Sequence, residues 1–297
     1  MRRRSFTSLG ALALPGMSAA IPNSAMAPSA DVRQRQSNLQ ARLRDLEATT
    51  GGRLGVQMLD SATGQEFGHR PDPLFMMLSS FKLLASALVL HRADTGQESL
   101  ERRIAFTAKD LVPYSPVTEK HADGPGLSLA QLCEATVTTS DNTAANLILA
   151  SYGGPAALTQ FARQLGDQVT RLDRNEPELN RKATEPLDTT SPRAMISSMH
   201  KVLLGNALSA PSRQLLQSWL LGNTTGQNRL KAGLPPGWRI GDKTGTNALD
   251  ANDIAIVWPP GRPPWLVAAY LSGSQASSQT KESVLAQVGR LAGEMAA

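Results

Sequence analysis

Cysteine is nearly absent, with Cys133 standing alone in 297 residues. No intramolecular disulfide can form, and a cysteine-ligated zinc or iron–sulfur centre is excluded. Histidine is scarce too. His69, His91, His121 and His200 are all there are. No two stand at ligand spacing, so no histidine-rich metal site is expected. No apolar run approaches the roughly 18 residues of a membrane span, so no transmembrane helix or stable membrane anchor is expected in the mature chain. A real surplus of positive charge is also missing. The formal charge is +5, but Arg2, Arg3 and Arg4 carry three of it and the first thirty residues hold no acid. The rest of the chain is near balance, which is no footprint for nucleic acid. What remains is a chain with 41% apolar and 19% charged residues. It is neither disordered nor fibrous, and it is long enough for one large domain or two modest ones.

Residues 1–30 read as an export leader. Arg2-Arg3-Arg4-Ser5-Phe6 is followed by a weakly apolar stretch from Leu9 to Met17 and then by small residues around Ala20 and Ala27. This is the layout of a signal peptide. Arg3-Arg4 with Phe6 resembles a twin-arginine signal, which implies a periplasmic or secreted protein. Pro28 disfavours cleavage after Ala27, so Ala20 stays open. A disordered basic N-terminus on a cytosolic chain is the plain alternative.

Asp31 to Glu47 places Leu39, Leu43 and Leu46 at helical spacing. Arg53–Asp60 and Gln65–His69 read as two strands joined by the turn Ser61-Ala62-Thr63-Gly64. From Ser79 the pattern becomes a helix apolar on all sides, as a buried helix requires, ending near Asp94-Thr95-Gly96. Further helices are expected over Leu127–Thr138, Asp141–Tyr152, Pro155–Leu165, Ser191–Leu204 and Ser212–Leu221. The polar stretch 171–188, with Pro177 and Pro186, has no periodicity, and a loop that long is usually functional. Trp238–Thr244, Asp253–Trp258 and Trp265–Ser272 read as strands, and Ser278–Met295 as a closing helix. The fold class expected is α/β: one five-stranded antiparallel sheet built from both chain ends, residues 31–70 and 221–297, with an all-helical domain, residues 71–220, inserted between them. A cleft is expected along the junction.

Four short motifs carry chemistry. Ser79-Ser80-Phe81-Lys82 puts a hydroxyl and an amine three apart, on one face at a helix start. The helix N-terminus adds free N–H groups, so an amine-activated serine and an oxyanion site can coincide there. The plain alternative is a capping serine beside a solvated lysine. A lysine in a helix apolar on every side argues against it, because an unpaired buried charge is costly. Ser140-Asp141-Asn142 falls in a break between helices. Asp141 is expected to cap the second of these, leaving Ser140 and Asn142 free to face a cleft. In the long loop, Glu176 and Asn180 can hold one water, or else simply form a solvated acidic loop. Lys243-Thr244-Gly245-Thr246 ends a strand, with a glycine that admits close approach, or is only a strand-end turn. Each signal alone is weak; their order along the chain is not.

With these motifs in this order, the sequence resembles the class A serine β-lactamases. The resemblance runs from about residue 33 to the C-terminus. It includes Phe75-Met76-Met77-Leu78, Leu111 to Val117, Thr143 to Leu147, Arg171 to Arg174 and Gly222 to Gly226. It implies the sheet-plus-helical-domain fold, no cofactor, a monomer and a small-molecule β-lactam substrate. It implies Ser79 as the nucleophile that becomes acylated, its N–H and that of Thr246 forming the oxyanion hole. Lys82 is implied as proton acceptor or electrostatic support, and Glu176 as holder of the hydrolytic water with Asn180. Which of Lys82 and Glu176 takes the proton in acylation stays open. Ser140 is implied to pass a proton to the lactam nitrogen, and Asn142 to bond the substrate's side-chain amide. Lys243, Thr244 and Thr246, with Arg229, are implied to bind its carboxylate, and Tyr114 to wall the cleft mouth. Arg174 and Asp188 match a salt bridge closing the loop, a structural role. The loop from Arg181 to Leu187 and the turn Asn247-Ala248-Leu249-Asp250 are shorter than usual. A D,D-peptidase or a β-lactam sensor of the same fold is the alternative, but neither has a use for Glu176 and Asn180.

Overall fold

The computed structural model describes residues 30–297. The expected leader, residues 1–30, lies outside the described residues except for Ala30. Helix α1 (Ala30–Ala48) buries the one face that carries Leu39, Leu43 and Leu46. Gly51, with φ 61°, turns the chain into β1 (Arg53–Asp60), which pairs antiparallel with β2 (Glu66–His69). The chain then enters a largely helical block. It contains α2 (Phe81–Asp94), α3 (Leu129–Thr138), α4 (Asn142–Ser151), α5 (Pro155–Gln164), α6 (Pro192–Leu203) and α7 (Ala210–Leu221). Side-chain caps start several of these: Ser128 on α3, Asp141 on α4, Ser191 on α6 and Ser209 on α7. The block also holds the short strand pairs β3 (Phe75–Met76) with β6 (Thr189–Thr190) and β4 (Arg103–Ile104) with β5 (Leu127–Ser128). The short α8 (Leu230–Gly233) leads to β7 (Arg239–Thr246), β8 (Ala251–Trp258), β9 (Trp265–Ser272) and α9 (Ser278–Ala296).

The main sheet has the order β2-β1-β9-β8-β7, every neighbour antiparallel. Both chain ends therefore build one five-stranded sheet, as expected. Its strands are buried on both faces, which explains apolar runs such as Trp265-Leu266-Val267-Ala268-Ala269-Tyr270 in β9. One face, with Leu54, Val56, Met58, Val267 and Leu271, packs with α1 and α9. The other, with Leu59, Ile254, Ile256, Leu266 and Tyr270, joins the core of the helical block. The small residue Gly55 in β1 makes room for the Phe75 ring, which a Cβ there would strike.

The structure shifts some expected boundaries. Leu127 and Ser128 pair as a strand and do not begin α3. The β7–β8 hairpin runs further than expected, pairing Gly245 with Asn252 and Thr246 with Ala251. Gly245, Asn252 and Ala251 have little strand propensity, and it is the ladder that holds them extended.

Candidate active site

Ser79 stands on the 3-10 turn Leu78–Ser80 that runs into α2. Leu78 before it has φ 48°, an uncommon backbone for leucine that the surroundings hold in place. The Met77 N–H donates to Asp188 O at 2.9 Å, and Asn252 Nδ2 on β8 donates to Met77 O at 2.8 Å. Gly245 on β7 adds the third constraint. A Cβ there would lie 2.8 Å from Leu78 Cβ, so glycine alone lets the strand come this close.

Lys82 follows one turn later and is fully buried. Its ammonium donates to Ser140 O at 2.8 Å, Ser140 Oγ at 3.3 Å and Asn142 Oδ1 at 2.5 Å. It also lies 3.1 Å from Glu176 Oε1. The costly buried charge thus has a full set of acceptors. Burial draws the Lys82 pKa below the usual lysine value, and the Glu176 carboxylate opposes that shift. The Ser79 hydroxyl donates to the same Glu176 Oε1 at 3.3 Å. One carboxylate oxygen therefore links the serine and the lysine.

Glu176 is 2% exposed. Asn180 Nδ2 donates to its Oε2 at 2.5 Å. Asn146 on α4 grips its backbone from both sides, accepting from Glu176 N–H and donating to Glu176 O, each at 2.9 Å. The Glu176–Pro177 peptide is cis. The ends of the loop are tied by Asp188, which accepts from Arg174 Nε at 2.6 Å and from the N–H groups of Asp173 and Arg174. β3 and β6 fasten the end of the loop beside the segment that leads to Ser79.

Ser140 sits in the α3–α4 break with φ 63°. Asp141 caps α4 through Ala144 N–H at 2.8 Å, and also accepts from Val117 and Thr118. The Ser140 hydroxyl faces two amines, Lys82 and Lys243, the second at 3.1 Å. Lys243 is fully buried and its pKa is drawn well down, by burial first and then by the nearby Lys82 charge. A hydroxyl between two such amines can relay a proton.

Along β7, the Thr244 hydroxyl meets that of Thr225 at 2.6 Å. Arg229 is 5% exposed. It donates to Gly245 O at 3.0 Å, Asn252 O at 2.7 Å and Thr246 Oγ1 at 2.6 Å. Behind it, Asp242 and Asp253 are buried on neighbouring strands. Burial raises both pKa values, that of Asp253 far more because the Asp242 charge adds to it. Burial and mutual repulsion thus disfavour two negative charges at this spot.

These groups surround a cleft of about 300 Å³ lined by Ser79, Tyr114, Ser140, Asn142, Asn180, Arg229, Thr244 and Thr246, together with Thr225 and Gly245. Lys82, Glu176 and Lys243 lie buried behind that lining. All the residues singled out from sequence for the cleft thus converge, with Arg174 and Asp188 apart, at the base of the loop. Tyr114, 61% exposed, stands on the lining. The Asn142 side chain already has protein partners at both ends, Lys82 on Oδ1 and Pro113 O on Nδ2 at 2.8 Å. Sequence reasoning missed Thr225, Asn146, Asn252 and the Asp242–Asp253 pair. Asn146 alone left a signal, as a polar residue inside the otherwise apolar helix Ala144 to Leu149. The polar groups are hydroxyls, amides, amines, one guanidinium and one carboxylate. The described residues contain no group of three His, Cys, Asp or Glu placed to hold a metal ion.

A model of the β-lactamase enzyme family matches residues 38–295. β-Lactamase L2 of Stenotrophomonas maltophilia is 46% identical over 250 residues, covering 83% of this chain and 82% of that protein. β-Lactamase CTX-M-8 of Citrobacter amalonaticus is 40% identical over 265 residues, covering 89% and 91%. Among solved structures, an ancestral (GNCA) class A β-lactamase superposes with TM-score 0.85 at 55% identity, covering 86% of this chain and 99% of that one. A putative class A β-lactamase, PenP of Rhodopseudomonas palustris, gives 0.84 at 54% identity, covering 86% and 98%.

Proposed function

The chain belongs to the class A serine β-lactamases, which open the β-lactam ring of antibiotics through an acylated serine, and from that premise we propose how its residues divide the work. Ser79 Oγ attacks the lactam carbonyl carbon and gives its proton to Glu176 Oε1, the acceptor already within 3.3 Å. Lys82, 3.1 Å from the same oxygen, steadies the charge that changes hands. The N–H groups of Ser79 and Thr246 receive the oxyanion. As the C–N bond breaks, Ser140 gives its proton to the lactam nitrogen and is resupplied from Lys82 or Lys243, both within reach of its hydroxyl. Glu176 then passes the Ser79 proton to Lys82, 3.1 Å away, making good the one given up through Ser140, and is a carboxylate again. In deacylation Glu176, with Asn180, takes a proton from water, whose oxygen attacks the ester carbonyl, and hands it to the departing Ser79 oxygen. Ser79 leaves as the alcohol, and the acid is released.

Lys243, Thr244, Thr246 and Arg229 bind the substrate carboxylate, and Asn142 offers its remaining amide N–H to the acyl side chain. Tyr114 walls the mouth of the cleft. Arg174 and Asp188 hold the loop in shape. The protein works as a monomer without a cofactor. Residues 1–30 direct it to the periplasm or beyond by the twin-arginine route. Residues 31–70 with 221–297, and 71–220, act as two domains flanking the cleft. No helix among the described residues is long and apolar enough to cross a membrane.

The observation that carries this reading is the single oxygen, Glu176 Oε1, shared by Ser79 and Lys82. Glu176→Gln is expected to lower kcat on a chromogenic cephalosporin by roughly 10²–10⁴-fold, the range for losing a general base. Mass spectrometry should find the acyl adduct forming more slowly on Ser79 and then persisting. Rapid clearing of that adduct would contradict the role given to Glu176.

A further inference from the structure

A second cavity, of about 480 Å³, lies beside the cleft, between the shortened loop 181–187 and the turn 247–250. It meets the catalytic cleft at one residue, Asn180, which lines both. Its size falls within the range of small-molecule sites. Its floor is apolar. Leu74 and Leu249, 37% and 36% exposed, both line it, and among the described residues the other large apolar side chains so exposed are Tyr114 and Val169. Its rim carries two cations, Arg53 and Lys182, and two acids, Glu185 and Asp250. The Arg53 guanidinium lies 4.3 Å from the Phe75 ring centroid and donates to Leu74 O. Among the described residues neither it nor Lys182, also on the lining, has a carboxylate partner. Two acids on the lining, Asp250 and Glu185, equal them in formal charge, so it is the unpaired cationic donors, not net charge, that distinguish the site. Asp250 is already engaged by Gly273 N–H and Asn247 Nδ2, and Glu185 is exposed on the loop.

The two walls differ in stiffness. Lys281 Nζ donates to Ala248 O at 2.6 Å, and Ser274 N–H donates to Leu249 O at 2.9 Å, so the turn is pinned. In the facing loop, among the described residues, no hydrogen bond holds the backbone of residues 182–184. The stiff wall is joined to the catalytic machinery. Asn247 Nδ2 donates to Asn180 O at 3.1 Å, and Asn180 Nδ2 donates to Glu176.

We propose that this cavity binds an amphipathic organic anion, its charge at Arg53 and Lys182 and its apolar body on Leu74 and Leu249, and that occupancy slows release of the acyl group. The effect on release rests on the role proposed above for Glu176; the binding does not. An occupant that parts the loop from the turn strains the Asn247–Asn180 hydrogen bond. It thereby moves Asn180 against Glu176, while the groups that receive the substrate stay in place.

The test uses anilinonaphthalene sulfonate, an aromatic anion, as the probe on the full mature chain. Fluorescence titration should give one site on the free enzyme and the same affinity on Glu176→Gln with Ser79 acylated. Replacing both Arg53 and Lys182 with Gln should weaken binding about tenfold or more and leave hydrolysis without the probe unchanged. Under saturating probe, kcat and KM should fall together with kcat/KM unchanged, the mark of a slowed step after acylation. Affinity unmoved in the double variant, or a probe displaced when Ser79 is acylated, overturns the site. Binding with unchanged kcat, or with a fall in kcat/KM, overturns the link to release. Loss of the adduct from Glu176→Gln before any probe is added would instead count against the role of Glu176, and the titrations on the free enzyme would still decide the site.

Discussion

Arg229 is a guanidinium held almost entirely by neutral acceptors, two backbone carbonyls and the Thr246 hydroxyl. The carboxylate of Glu282 comes no nearer than 4.0 Å. Most of its positive charge is therefore left to act on the cleft, and its rigid fork is already oriented there. Arg229→Ala should lower kcat/KM for β-lactams bearing a carboxylate by roughly 10–100-fold, the loss of one or two charge-assisted hydrogen bonds. A kinetic comparison of wild type and variant checks it, and unchanged kcat/KM would reduce Arg229 to a brace for β7 and β8. At this scale much was legible in the sequence. Ser79 and Lys82 share a helix face by spacing alone, and Asp141 had a cap to make. Thr225 was not legible, because only the fold brings it to the cleft beside Thr244, nineteen residues on. Nor was the occupied state of Asn142, whose partners Lys82 and Pro113 come from other segments.

At the scale of elements, β7 does two jobs: it forms the edge of the sheet and one wall of the site. Gly245 is where these demands meet. Gly245→Ala places a methyl against Leu78 and Asn252, which hold the turn carrying Ser79. Overpacking of this kind should cost about 1–3 kcal/mol. Urea denaturation measures that loss, and a fall in kcat at a permissive temperature would show that Ser79 has moved relative to the strand. Beneath the same wall, Asp253 has its pKa raised well above the ordinary carboxyl value, by burial and then by the Asp242 charge. The folded state therefore holds a proton that the unfolded chain gives up at about pH 4. Stability is lost as pH rises from that value through the raised folded pKa. Asp253→Asn keeps an acceptor for Leu230 N–H and a donor for Asp242 without needing the proton. It should raise the thermal midpoint at about pH 7 and leave it nearly unchanged at about pH 4. Calorimetry at both values decides, and an equal shift at the two would deny the raised Asp253 pKa. Sequence pattern gave no hint of this pair, since the two acids stand eleven positions apart across a hairpin and meet only through strand register.

For the molecule as a whole, the sheet divides two apolar cores, and catalysis belongs to one side. The helical block and the inner sheet face make one core, with Met77 and Phe81 on either side of Ser79 among its members. α1, α9 and the outer sheet face make the other. The two-ended sheet could be read in advance, because a hairpin early and three strands late leave few alternatives. How the blocks meet could not, because it depends on long-range fits such as Phe75 on Gly55 and Met77 N–H on Asp188 O. If the outer core serves stability alone, its damage should separate the two properties. Leu43 on α1 is fully buried in that core and far in sequence from every cleft residue. Leu43→Ala should lose about 2–5 kcal/mol through lost transfer free energy and the cavity left behind. At a temperature where the variant remains folded, kcat/KM should match wild type. Denaturant titration and steady-state hydrolysis on the same preparation measure both. A fall in kcat/KM comparable with that from Gly245→Ala would mean that strain in the outer core crosses the sheet to Ser79. The site would then depend on the packing of both layers, not on the inner one alone.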